Sequence, residues 1–323
     1  MSIRTFFKET VCVQKLISLY KSHNLKRAYY NEASSTTNSS DKTVIFMIDG
    51  KIGHGGLCDR LHGLISTFLF CEENGLQFRV WWKYPFNLEL FLQPNTYNWH
   101  IDKFELTYNK SNATPYYWGT IHNEHKQLQL AQKILQLPYT QIHAYTNMHY
   151  KREQLHRNFQ RLFKLSPILR DAVNRNLQSI GPCYISATFR FQRLLGDFDE
   201  GNFPVLDNSE KTDLMVRCKN AIEAIKKEHP STPRILVTSD SKTFLNYLSE
   251  NLSYTYTIDG ELCHMDFIKN ESNELRHIKS FVDLIMISKA QTAYLVRTTP
   301  MYKSSFAKTA ALIGNVPYIE YDF

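Results

Sequence analysis

From Thr43 onward the chain repeats one rhythm: an unbroken apolar run of strand length, then a stretch with apolar residues every three or four positions. The first run, "TVIFMID" (43–49), is rich in β-branched residues, as a strand buried on both faces requires. A turn through Gly53, Gly55 and Gly56 follows. Beyond it Leu57, Leu61, Leu64, Ile65, Phe68 and Leu69 share one helical face, which Gly75 stops. "FRVWW" (78–82) then completes a strand–helix–strand unit. Residues 83–150 are less regular, and "TPYYWG" and "YTQIHAYTNMHY" predict short strands and aromatic loops without a topology.

Two helices are predicted next, in "REQLHRNFQRLF" and in "ILRDAVNRNLQSI", where Pro167 suits the first turn; they are expected to bridge the two halves. A second alternating series begins with "CYISATF" (183–189). Strands at 234–239, 254–258, 292–296 and in "PYIEY" alternate with helices at 211–228, from Ser241, at 274–289 and at 304–313. Such alternation means a parallel sheet covered on both faces. The expected architecture is α/β, with two Rossmann-like lobes at 43–165 and 166–323. Ahead of them, Ile3, Phe6, Val13, Ile17 and Tyr20 at helical spacing predict an amphipathic helix over 3–22, and the Ser/Thr/Asn-rich stretch 31–42 reads as a linker.

Composition supports this division. A length of 323 residues exceeds what one core fills, since single cores stop growing below ~300 residues. At 43% apolar and 13% aromatic, the chain has ample material for two cores. The excess of 38 Lys and Arg over 31 Asp and Glu favours an anionic ligand, but the basic residues are dispersed and argue against nucleic acid. Packing on the protein body is the first expectation for the N-terminal helix. Its basic residues, with Lys26 and Arg27 beyond it, also suit peripheral contact of residues 3–27 with an anionic membrane. Six cysteines without C-x-x-C or Cys/His metal spacing predict reduced thiols and a reducing compartment. With no apolar run of about 18 residues and no signal peptide, the expected location is the cytoplasm, at most peripheral on the inner face of the membrane.

Open α/β sheets bind ligands beyond the carboxyl ends of their strands, so the residues there are the candidates. The Gly53–Gly55–Gly56 turn opens a helix whose N-terminus can face an anion, although the segment is neither a Walker loop nor a G-x-G-x-x-G fingerprint, because Cys58 occupies the third glycine's place. Arg190 and Arg193 follow the strand 183–189 and offer guanidinium forks to a diphosphate; pairing with Asp197, Asp199 or Glu200 is the alternative. Asp197-Phe198-Asp199 also matches the short D-x-D pattern of metal-dependent sugar transferases, which arises often by chance. Ser239 and Asp240 end a strand where a carboxylate can hold a nucleoside, and Ser241 suits a helix cap. Ser304, Ser305 and Phe306 begin the last helix and can form an anion site or an ordinary cap.

Taken in order, these segments resemble the GT-B fucosyltransferases, the superfamily of α-1,6-, nodulation-factor, plant xyloglucan and protein O-fucosyltransferases. "GGLCDRLHGLISTFLFCEENGLQFRVWW" is similar to the family's first motif at Gly56 and Asp59, with Cys58 replacing the usual second glycine. "ISATFRFQRLLGD" resembles the strand ending in His-x-Arg-x-Gly-Asp. Arg190 takes the arginine's place, Thr188 stands for the histidine, and Gly196-Asp197 come late, which leaves Arg190 or Arg193 as the functional arginine, with Arg190 favoured. "RILVTSDSKTFL" and "FVDLIMISKAQTAYLVRTTPMYKSSFAKTAALIG" look like the Ser/Thr-Asp strand and the closing motif.

The resemblance implies two lobes with a cleft between them, the acceptor lobe first and the nucleotide-sugar lobe second. It implies an inverting transferase using GDP-fucose as donor substrate, with no cofactor or required metal, acting on a glycan or glycoconjugate in surface polysaccharide synthesis. Arg190, the Ser304–Ser305 helix start and the Gly55–Gly56 turn would stabilise the leaving phosphate, Asp240 would hold the nucleoside, and Asp59 or His54 would activate the acceptor hydroxyl. The same fold with another nucleotide sugar, or an inert sugar- or nucleotide-binding protein, are the rival readings.

Overall fold

The computed structural model describes residues 11–30, 42–118, 123–197, 203–263, 265 and 273–323. Its Cα packing falls into two units, Met1–Glu89 with Gln93–Lys164, and Leu90–Leu92 with Leu165–Phe323.

In the first unit, strand β1 (Thr43–Ile48) is buried along its whole length, as its unbroken apolar run predicts. Helix α2 (Leu57–Glu73) returns the chain to β2 (Gln77–Trp82), which lies parallel to β1 with Phe46 opposite Val80. The two stretches without a predicted topology supply β4 (Ala113–Tyr117) and β5 (Gln141–Tyr145), and the sheet runs β2-β1-β5-β4, all parallel. Pro115 is tolerated in β4 because that strand is an edge.

Every residue of β5 is buried, although Gln141 and His143 are polar. Their partners are internal. The Tyr29 hydroxyl meets His143 Nδ1 at 3.0 Å, His143 Nε2 meets Gln141 Oε1 at 3.2 Å, and the Gln141 side chain also bonds the backbone of Thr107 and Glu105. Burial drives the His143 imidazole down to about 3, so the ring is neutral in this network.

Helix α1 spans Val11–Tyr29, reaching seven residues further than the predicted 3–22, while residues 1–10 and most of the predicted linker lie outside the described residues. Among its described side chains, Gln14, Leu25 and Tyr29 are buried. Tyr20, expected on the packed stripe, is instead 69% exposed. The reason is the docking of the C-terminal half: Leu25 belongs to the core with Ile45, Met47, Leu106 and Tyr145, and Tyr29 reaches His143, which turns the Tyr20 side outward.

Of the two helices after residue 151, α4 (Leu155–Leu162) belongs to the first unit and α5 (Pro167–Ile180) to the second, where Ser166 caps it. Helix α3 (Glu124–Gln132) precedes β5, and the three-residue strands β3 (Leu92–Pro94) and β6 (Phe163–Leu165) stand outside both larger sheets.

In the second unit, β7 (Tyr184–Phe189), β8 (Arg234–Ser239), β9 (Thr255–Tyr256), β10 (Ala293–Arg297) and β11 (Tyr318–Asp322) form a parallel sheet in the order β11-β10-β7-β8-β9. Helix α6 (Asn208–Glu228) starts three residues earlier than its apolar pattern suggests, because Asp207 and Glu210 form a reciprocal capping box. Ile185, Ala187 and Phe189 of β7 pack with Cys218, Ile222 and Ile225 of α6 in the core. Helices α7 (Lys242–Asn251), α8 (Ile278–Ser288) and α9 (Phe306–Gly314) complete the unit, and α8 is preceded by a 3-10 turn at Glu274–His277. Among the described residues, Cys58, Cys71 and Cys218 are buried and Cys183 is exposed, none of them in a disulfide.

Candidate functional site

The chain enters the second sheet at β7, proceeds to β8 and β9 on one side, then crosses to β10 and β11 on the other. Strand order therefore reverses between β7 and β10, and the space beyond their carboxyl ends is where such a sheet holds a ligand. Arg190 is the first residue after β7, and its side chain is 22% exposed. Its guanidinium Nη1 lies 3.1 Å from Asp240 Oδ2, just after β8.

Asp240 does more than pair with that charge. Its Oδ1 accepts the Phe191 amide at 2.8 Å and its Oδ2 the Gln192 amide at 2.7 Å, which fixes the turn after Arg190 with Gln192 in the left-handed region at φ 54°. Burial pushes the Asp240 carboxyl up against the opposing pull of Arg190 and these amides. The expected acceptor for a nucleoside thus has both oxygens engaged within the chain, because the loop it must hold comes from the neighbouring strand.

The segment after β10 closes on the same place. The Tyr302 amide donates to the Arg190 carbonyl at 3.2 Å, and Arg217 anchors the start of the loop through Thr298 Oγ1 at 2.8 Å. Ser305 immediately precedes α9; it is exposed and makes no side-chain cap, while Ser304 Oγ accepts the Phe306 amide at 3.2 Å. The structure so brings Arg190, Asp240 and Tyr302 together, with Ser304 and Ser305 following Tyr302 along the chain.

Other predicted residues are absorbed by local structure. Ser239 Oγ accepts the Ser241 amide, and Ser241 caps α7 by accepting from Phe244. Asp197 receives the Ser241 hydroxyl at 3.0 Å and the Thr243 amide at 2.7 Å, so it serves the start of α7; Phe198, Asp199 and Glu200 lie outside the described residues. Arg193 is half-buried in the turn, where its carbonyl accepts from Gly196. The Thr188 hydroxyl lies 2.9 Å from that of Thr238 on the adjacent strand.

The first sheet reverses order between β1 and β5, and a second polar cluster occupies that position. Asp49 follows β1 directly. Its Oδ2 accepts the Tyr145 hydroxyl at 2.7 Å and faces Lys51 Nζ at 3.3 Å, and its Oδ1 accepts the Lys51 amide at 3.1 Å. His54 is 3% exposed and its Nε2, 3.1 Å from the Gly50 amide and 3.7 Å from Asp49 Oδ1, accepts from Gly50. The Nε2 atom of His54, a base expected from the sequence, thus already holds the turn.

Gly55, at φ +79°, brings the chain against Asn147 and Asp59; a Cβ there would lie 3.0 Å from Asn147 Nδ2 and 3.1 Å from Asp59 Oδ2. The wholly buried Arg60 fixes the same turn, donating from Nε to Gly55 O and from Nη1 to Tyr84 O, each at 2.8 Å. Because Asp59 in the first turn of α2 already complements the positive helix start, the Gly55–Gly56 turn is less suited to a phosphate than its glycines suggest.

Asp49, Tyr145 and Asn147 are absent from the sequence-based candidates. The position of Asp49 at the end of "TVIFMID" is the signal that could have found it.

Burial pushes the Asp49 carboxyl up, but the Tyr145 hydroxyl and the charge and amide of Lys51 oppose it, and the group is held down at about 2. A folded value below the ordinary one stabilises the fold above pH ~4 and loses that contribution as pH falls through about 2, a difference of about 2 kcal/mol. Acid unfolding followed by tyrosine and tryptophan fluorescence should therefore be less steep over this range in Asp49→Asn than in the native chain.

No protein-family model and no curated relative matches the sequence. Solved structures do match. The NodZ α-1,6-fucosyltransferase soaked with GDP-fucose aligns at TM-score 0.54 and 16% identity over 87% of this chain and 95% of that one. Fucosyltransferase NodZ from Bradyrhizobium aligns at TM-score 0.55 and 15% identity over 87% and 96%. A mutant of Arabidopsis thaliana FUT1 in complex with GDP aligns at TM-score 0.55 and 12% identity over 95% and 78%. At these identities the likeness shows the fold: an α/β chain of GT-B type with Rossmann-like units.

Proposed function

We propose that this chain is a glycosyltransferase that moves fucose from GDP-fucose to a glycan or glycoconjugate acceptor, with inversion and without a required metal. The observation that carries the reading is Arg190, its loop fixed by Asp240 at the strand-order reversal of the second unit, in a fold shared with fucosyltransferases solved with GDP-fucose or GDP. Departure of the sugar as an oxocarbenium-like species leaves negative charge on the diphosphate. A guanidinium and backbone amides already fixed in place stabilise that charge more than they stabilise the bound donor, which is what lowers the barrier.

Arg190 is assigned the diphosphate, with the 304–306 segment supplying further donors from the start of α9. Asp240 holds the arginine's loop. In the first unit, Asp59 is the remaining candidate to accept the proton of the acceptor hydroxyl, since His54 is enclosed.

The test is to incubate the purified chain with GDP-fucose, GDP-mannose and UDP-sugars, with and without EDTA, and to follow nucleotide release and thermal shift. Turnover confined to GDP-fucose and indifferent to EDTA is expected. Turnover of a different donor would assign another nucleotide sugar, stabilisation by GDP without release from any donor would indicate an inert binder, and loss with EDTA would contradict metal independence.

A further inference from the structure

On α1, the buried or half-buried residues Gln14, Ser18, Lys21, Ser22, Leu25 and Tyr29 share one side of the helix at its 100° step. The opposite arc carries Leu16, Leu19, Tyr20, His23, Lys26 and Arg27, all exposed. Leu16, Leu19 and Tyr20 are 65%, 67% and 69% exposed, large apolar side chains at the i, i+3 and i+4 spacing of neighbours on a helix surface. The turns that follow on the same arc bear exposed Lys26 and Arg27, and no Asp or Glu occurs between residues 11 and 29. Fixed to the first unit through Leu25 and Tyr29, the helix presents this arc without needing to undock.

We infer that the outward face of α1 is a docking surface for an anionic lipid bilayer. An apolar triad beside cationic side chains, with no acidic residue on the helix, matches the boundary between acyl chains and acidic headgroups, where apolar burial and headgroup attraction act together. Exposed Tyr20 suits the same depth, because its ring is apolar and its hydroxyl stays wet. Among the described residues no helix is long and apolar enough to cross a membrane, so α1 lies on the surface of the bilayer. This inference is independent of the sugar chemistry.

Co-sedimentation of the full chain with phosphatidylcholine vesicles, with and without phosphatidylglycerol, tests it. The native chain should bind the anionic vesicles at least about tenfold more tightly than the neutral ones, and raised salt should weaken that binding. Leu16→Ser with Leu19→Ser, and separately Lys26→Glu with Arg27→Glu, should each lower it by about tenfold or more, with unchanged melting temperature because all four side chains are exposed. No binding, equal binding to both vesicle types, or unchanged binding in either double variant overturns the inference. So does a dimer in sedimentation velocity that Leu16→Ser with Leu19→Ser dissociates, since the face would then belong to a second copy.

Discussion

Replacing Arg190 by lysine is expected to lower kcat for fucosyl transfer by about 10²–10³-fold, the usual loss when one preorganised donor to a developing anion is removed. Lysine keeps the positive charge but not the planar fork, and its ammonium cannot offer two parallel donors to a phosphate while also meeting Asp240. The fold should survive, because Phe191 and Gln192 hold the loop through their amides, which the substitution leaves in place. Steady-state kinetics with GDP-fucose, beside a melting curve, separate the two effects. Near-normal kcat in a folded Arg190→Lys protein would remove Arg190 from the chemistry and return Arg193 to consideration.

The largest expected loss of stability comes from Gly314→Ala. A Cβ on Gly314 would sit 1.9 Å from the Ser288 carbonyl oxygen and 2.6 Å from its carbon, both backbone atoms, so no rotamer change can relieve the clash. The approach lets α9 lie against the end of α8, and separating the two opens the unit that carries Arg190. We expect a cost of about 3 kcal/mol or more, seen as a fall of roughly 6–12 °C in the melting transition of this unit. Gly63→Ala is the counterpart in the first unit, where the added Cβ would meet the Thr146 carbonyl at 2.3 Å. A melting temperature within two degrees of native, a change roughly equal to 0.5–1 kcal/mol, would show that the helices can separate at little cost.

How much of this was legible follows from where each residue finds its partners. Strands β1, β7, β8 and β10 read directly, because burial on both faces forces an apolar run, and glycine or serine punctuation marks the helices between them. Strands β4 and β5 read only as short strands of unknown place, since Thr114, Gln141 and His143 interrupt the pattern with polar groups whose partners are distant in sequence, such as Tyr29. On α1 the exposure of Tyr20 has a related reason: the anchors Leu25 and Tyr29 lie beyond the stripe that spacing picks out, and Tyr29 finds its partner His143 far along the chain.

For the candidate site, the strand-end rule picks out Arg190, Asp240 and Ser304–Ser305 as candidates, because position along a parallel strand is a one-dimensional property. The work of Asp240 was not visible, since it depends on amides 48 and 49 residues away. The cap by Ser241 was legible from its place ahead of a helix, whereas the bonds of Asp197 to the start of α7 and the enclosure of His54 depend on three-dimensional neighbours that residue type does not encode.

The most direct measurement of the central claim is a crystal structure of the chain with GDP. It should show the diphosphate oxygens within hydrogen-bond distance of the Arg190 guanidinium and of amides in the 304–306 segment, with Asp240 still bonded to Phe191 and Gln192. A diphosphate bound away from Arg190, or an Arg190 that leaves Asp240 to face bulk solvent while nucleotide is present, would contradict the account.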